Sequence, residues 1–327
     1  MILFENVSKE YEEGKPVVSN VNLDIKDGEF FVLIGPSGSG KTTTLKMINR
    51  LIPLTNGFIR INGKPISDYN LQELRWNIGY VLQQIALFPN MTVEENIIIV
   101  PEMKKWSKEE MKQRVTELLD SVGLDPEAYR NRKTSELSGG EQQRVGVVRA
   151  LAANPDIILM DEPFSALDPI SKRNLQKDVA KLQKKFNKTI VFVTHDMQEA
   201  LALGDRICLM NKGKIEQLGT PDEIRKHPKN EFVRNFLHTG TSDFKEIQTI
   251  QQIIEERNLE TAEGSQESGS YLSLEDTIDT LIVALAKEEV VLIKNHESSM
   301  MWKITKQQLL DHLAQEIHNE QQESVVN

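Results

Sequence analysis

The octapeptide GPSGSGKT, Gly35 to Thr42, constrains this 327-residue chain more than any other feature. It fits G-x-x-x-x-G-K-[ST] and stands between the apolar run EFFVLI and a stretch of helical character, the context a phosphate-binding loop requires. Its residue types follow from the ligand they suit. A nucleotide tail is polyanionic, so successive backbone N–H groups must curve round it, and glycines permit that curvature. The helix that starts there adds its positive end. In such a loop Lys41 meets the β- and γ-phosphates, and the Thr42 hydroxyl is placed to ligate Mg²⁺. Gly35, Pro36, Ser37, Gly38, Ser39, Gly40 and Thr43 complete the expected cradle.

A second element, IILMDEP, carries Asp161 and Glu162 to the end of an apolar strand. That is the edge at which open α/β sheets bind ligands. Asp161 is expected to hold Mg²⁺, which leaves Glu162 to polarise the attacking water as general base. A third element, LSGGEQQR, sets Ser138 as a helix cap with Glu141 three residues on, the capping-box spacing. Gly139 and Gly140 then offer N–H groups at a second helix start, a second anion site. One nucleotide that uses both sites implies that they come from different copies of the chain.

Around these motifs the chain alternates. Residues 1–80 read as strands with turn punctuation, Asn62-Gly63 being a hairpin signal. From about 90 to 155 the pattern is helical, with Val115, Leu118, Leu119 and Val122 on one face. DIILMD and KTIVFVTH, each followed by helix, have the rhythm of a parallel sheet. Net charge is uneven: residues 241–327 hold 6 Lys+Arg against 17 Asp+Glu, which leaves 33 against 32 in residues 1–240. A near-neutral body with an acidic tail lacks the basic footprint of a nucleic-acid binder. No apolar stretch reaches the ~20 residues that span a bilayer, and the single cysteine, Cys208, suits a reducing compartment.

With these residues in view, residues 1–240 resemble an ATP-binding cassette (ABC) ATPase, the energising subunit of a transporter. The resemblance implies an α/β fold of the phosphate-loop NTPase type with a helical subdomain and an antiparallel β subdomain. It implies ATP and Mg²⁺ as cofactors and a head-to-tail homodimer as the working form. Tyr11 matches the aromatic that stacks on adenine, and Gln83 the glutamine that touches Mg²⁺ and the water while sensing membrane subunits. Asp168, in SALD, matches the loop that communicates across the dimer, and His195 the switch histidine on the γ-phosphate. Implied partners are a second copy, integral membrane permease subunits and, indirectly, a substrate-binding protein or fused domain. The implied location is the cytoplasmic face of the cell membrane, with no nucleic acid bound.

The texture of GYVLQQIALFPNMTVEENI and MDEPFSALDPISKRNLQ is similar to ATPases of osmoprotectant importers, which take up glycine betaine, carnitine or choline. Import of another small solute (a sugar or an amino acid) is the alternative, and a soluble ABC ATPase outside transport is a further one. After a helical lead-in and linker at 241–269, residues 270–318 read as β-α-β-β-α, followed by a tail at 319–327. That unit resembles a single cystathionine-β-synthase (CBS) motif where importers of this type often carry two. The resemblance implies dimerisation or regulation, with an adenine nucleotide, including a cyclic dinucleotide, as a candidate ligand. His296, Trp302, His312 and His318 show no metal-ligand spacing.

Overall fold

The computed structural model describes residues 1–12, 14–239, 250, 254, 271–274, 276, 278–295 and 301–311. Residues Met1–Gly240 and Thr241–Asn327 form two separate units.

The first unit opens with strands β1 (Ile2–Glu12) and β2 (Lys15–Ile25), paired antiparallel. Strand β3 (Phe30–Ile34), buried along its whole length, runs into the glycine loop and helix α1 (Lys41–Ile48). Strands β4 (Asn56–Ile61) and β5 (Lys64–Pro65) meet at Asn62-Gly63. Both turn residues have positive φ, 52° and 79°, as a two-residue hairpin of this hand requires. Helix α2 (Leu71–Trp76) leads to strand β6 (Ile78–Val81). A helical stretch follows, with α3 (Val93–Met103), α4 (Lys108–Ser121), α5 (Pro126–Tyr129) and α6 (Gly139–Leu151). The alternation then resumes with β7 (Ile157–Asp161), α7 (Pro169–Phe186), β8 (Thr189–Thr194) and α8 (Met197–Leu203). Strands β9 (Arg206–Asn211) and β10 (Lys214–Gly219) and helices α9 (Pro221–Lys226) and α10 (Glu231–Thr239) complete it.

These strands form two sheets, an antiparallel one ordered β2-β1-β4-β5 and a main one ordered β10-β9-β3-β8-β7-β6. The main sheet is parallel except at β9–β10. Its central strands are apolar at nearly every position because both faces are covered. Phe30, Val32, Ile34, Ile158, Met160, Ile190 and Phe192 face one core, shared with the helices. Phe31, Leu33, Ile157, Leu159, Val191 and Val193 face a second, shared with the antiparallel sheet. Val115, Leu118, Leu119 and Val122 of the helical stretch are buried together in the first core. At one seam side chains are absent: a Cβ on Gly79 of β6 would lie 2.3 Å from the Ala150 carbonyl oxygen of α6.

The second unit has strand β11 (Tyr271–Ser273), helix α11 (Ile278–Leu285) and strands β12 (Val290–Lys294) and β13 (Met301–Thr305), with residues 306–311 helical. β11 pairs parallel with β12, and β12 antiparallel with β13. The Thr305 hydroxyl accepts from Gln308 N while the Gln308 side chain accepts from Thr305 N, closing a capping box at the last helix. Leu281, Leu285, Val291, Ile293, Ile304 and Leu309 share a core with Ile250 and Ile254. Apart from those two isoleucines, the lead-in and linker expected at 241–269 lie outside the described residues, as do His296, His312, His318 and the 319–327 tail. Among the described residues no helix is long and apolar enough to cross a membrane.

Candidate active site

Strand register gathers the glycine loop with the two motifs that end β7 and β8. Ile34 pairs with Thr194, and Asp161 with Val193. The glycine loop, the Asp161-Glu162 pair and His195 therefore leave the sheet side by side at its C-terminal edge. The edge holds a cavity of about 400 Å³ lined by Ser37 to Thr43, with Val17, Gln83, Glu162 and His195.

The loop is shaped for an anion. Gly38 and Gly40 have φ of 74° and 99°, and a Cβ on Gly35 would lie 2.1 Å from the Met210 carbonyl oxygen. Lys41 donates to the carbonyls of Gly35 and Pro36 at 2.8 and 2.9 Å. Burial pushes its ammonium below the ordinary lysine value, while Glu162 and Asp161 pull it upward. The Ser39 hydroxyl is buried and has no hydrogen-bond partner among the described residues. A buried hydroxyl left in this way is costly, and a phosphate oxygen in the cradle would satisfy it.

Thr42 donates to Asp161 at 2.7 Å. Two hard oxygen donors side by side suit Mg²⁺, which takes few protein ligands and completes its shell with phosphate and water. Among the described residues there is no cluster of three or more His, Cys, Asp or Glu able to hold a metal. The other Asp161 oxygen faces the Tyr80 hydroxyl at 3.4 Å and the Lys46 ammonium at 3.8 Å. Burial and the Asp161 charge raise the Tyr80 pKa, so the phenol stays protonated and donates. Tyr80 and Lys46 carry no motif; a phenol in the otherwise apolar run of β6 was the one available signal.

Glu162 follows β7 with φ +45°, in the left-handed region, which costs a non-glycine residue about 1–2 kcal/mol. Its N–H donates to Val193 O, and its carbonyl accepts from Ser165 N, so the chain turns off the sheet and the carboxylate enters the cavity. Oε2 receives Gln83 Nε2 at 3.4 Å and faces His195 Nδ1 at 3.1 Å. Three side chains from three separate loops thus meet at one carboxylate oxygen.

Other expected residues are not brought to this cavity within one chain. Tyr11 is 60% exposed, with the Lys9 ammonium 4.9 Å from its ring centroid. Ser138 caps α6, its hydroxyl accepting from Glu141 N while Glu141 accepts from Ser138 N. Tyr129 holds the other Glu141 oxygen at 2.6 Å, a support without a sequence signal. Gly139 is exposed, and a Cβ there would meet nothing within 4 Å. Asp168 caps α7, accepting from Ile170 N and Ser171 N.

Comparison with known proteins agrees with this geometry. The family model described as ABC transporter matches residues 18–165. The chain is 50% identical over 287 residues to the choline transport ATP-binding protein OpuBA of Bacillus subtilis (strain 168), covering 86% of this chain and 75% of that one. It is 53% identical over 241 residues to the osmoprotectant import ATP-binding protein OsmV of Salmonella typhimurium, covering 72% and 63%. Among solved structures it resembles the dimeric post-hydrolysis state of the ATP-binding cassette MJ0796 bound to ADP and Pi. That likeness has a TM-score of 0.60 at 39% identity and covers 68% of this chain and 99% of that one.

Proposed function

We propose, from the premise that this chain belongs to the ABC transporter ATP-binding family, that it energises an importer of quaternary-amine osmoprotectants such as glycine betaine, carnitine or choline. The observation that carries the catalytic part is the meeting of Gln83 and His195 at Glu162 beside the Lys41 loop. The names of the relatives OpuBA and OsmV support the substrate class.

In this reading the Gly35–Thr43 loop and Lys41 hold the triphosphate, with Tyr11 stacking on the adenine. Thr42, Gln83 and Asp161 would hold Mg²⁺, which when bound neutralises phosphate charge. Glu162 takes the proton of the attacking water, and Gln83 and His195 orient its carboxylate. Ser138, Gly139 and Gly140 serve the nucleotide of a second copy, the two chains lying head to tail, with Asp168 at the contact between them. The exposure of Ser138 and Gly139, outside the chain's own cavity, supports this. Sharing the γ-phosphate closes the pair, and its loss reopens it, moving permease helices docked near Gln83. The chain then sits at the cytoplasmic face of the membrane.

The β-α-β-β-α order of the second unit supports its reading as a single CBS-like motif that dimerises or regulates. Its ligand stays an open assignment, an adenine nucleotide being the candidate the resemblance offers. Reconstitution with its permease tests the whole reading. Quaternary amines should stimulate ATP hydrolysis and sugars or amino acids should not; stimulation by the latter alone overturns the substrate class. Deleting residues 241–327 should leave basal hydrolysis largely intact and alter its salt response in the assembled transporter.

A further inference from the structure

Behind the Glu162–His195 contact lies a second, smaller cavity of about 100 Å³, bounded by Glu162, Ser165, Lys172, Thr194, His195 and Glu199 among others. Its polar walls are joined by one cation. Lys172, one turn into α7 from its Asp168 cap, reaches Asp196 at 2.5 Å and Glu199 at 2.8 Å. Both acids belong to the segment that carries His195. Asp196 caps α8 with its other oxygen, accepting from Gln198 N and Glu199 N. Glu199, 5% exposed, accepts from the Thr194 hydroxyl at 2.6 Å, and that hydroxyl accepts from Asp196 N at 3.0 Å. The residues on either side of His195 are thus pinned, and the pin is anchored in the helix that begins at Asp168. The His195 side chain itself is 62% exposed, its own contact being the one with Glu162, so its position depends on how this turn is held.

We propose that Lys172 is a positioning residue that ties the Asp168 end of α7 to the His195 turn. A shift at Asp168, where a second copy would press, is carried by the Lys172 ammonium to Thr194–Asp196 and so to the imidazole at Glu162. This rests on the functional reading above and extends it. The linkage also explains two carboxylates converging on one lysine in a half-buried place: a single contact would pair charge, whereas two hold a turn in orientation.

The test compares full-length K172M, K172R and the double variant K172M/E199Q, which removes the Lys172 and Glu199 charges together, leaving no unpaired carboxylate at Glu199 and Asp196 with its two backbone donors. Misplacement of a catalytic group by an ångström can cost ~10²-fold. K172M and the double variant should therefore lose at least about tenfold in kcat, while KM for ATP stays near that of the wild type. K172R should recover most of the loss. A double variant with wild-type Tm and wild-type kcat overturns the proposal, since the lysine would then serve stability alone. So does a parallel loss of ATP affinity, or an arginine variant as slow as K172M at unchanged Tm. His195→Ala separates the two levels. If it turns over ATP normally, the reading of the site fails; if it is dead while the double variant is active, only the role of Lys172 fails.

Discussion

Replacing Glu162 by glutamine probes the site most directly. Oε2 of Glu162 lies 3.4 Å from Gln83 Nε2 and 3.1 Å from His195 Nδ1. Glutamine has nearly the same shape and retains one oxygen acceptor, so the left-handed turn after β7 and the cavity wall persist. It loses the ability to take a proton. A positioned general base contributes ~10²–10⁴-fold, which at about 1.36 kcal/mol per decade is about 3–5 kcal/mol of barrier. The withdrawn charge also faces Lys41, so the site becomes more positive and ATP binds at least as tightly. Phosphate release should fall at least ~100-fold, and MgATP should hold the chain as a long-lived dimer by light scattering. Turnover close to that of the wild type refutes Glu162 as the proton acceptor. Slow turnover with proportionally weaker ATP binding refutes it as well, since the carboxylate would then act in binding.

Ser39→Ala removes a hydroxyl that has no partner among the described residues, so the nucleotide-free protein should keep its stability or gain up to about 1–3 kcal/mol. ATP should then raise the Tm less than in the wild type; a lower nucleotide-free Tm contradicts the reading of the loop. Ser138→Arg and Lys41→Ala chains, each inactive alone, should regain part of the activity when mixed, because a heterodimer keeps one intact composite site. No recovery in the mixture counts against a shared site. Burial pushes the Cys208 thiol from its ordinary 9.0 up to about 12. Between those values the unfolded chain binds fewer protons at this thiol than the folded one, so its contribution falls as pH rises, by about 1.36 kcal/mol per unit at most. Denaturant midpoints of wild type and Cys208→Ala should diverge in slope above pH 9; parallel profiles would show the thiol to be accessible.

The elements were legible where local chemistry decides them. The uninterrupted apolar runs of β3, β7 and β8 announce strands covered on both faces, and Ser138 with Glu141 spells a capped helix. The hairpin at Asn62-Gly63 and the β-α-β-β-α order of the second unit rest on equally local signals. Strand order is different, because it is decided by non-local packing. Nothing in the sequence says that β3 lies between β8 and β9, yet that order sets His195 beside the Lys41 loop. For the same reason Lys46 at Asp161, Tyr129 at Glu141 and Lys172 at Asp196 and Glu199 had no signature, and Tyr80 only its place in an apolar run: each is an ordinary polar residue until a distant segment packs against it.

The bare seam at Gly79 has a mechanical corollary. With the Ala150 carbonyl close against the β6 backbone, the C-terminal end of α6 bears directly on the sheet, whereas its Ser138 end is exposed. A helix of 13 residues is ~20 Å long at ~1.5 Å per residue, so a tilt of ~10° swings its Ser138 end by ~3 Å. Any tilt about this contact would thus be felt at the serine-glycine turn, and a methyl group on Gly79 would push the helix backbone off the strand.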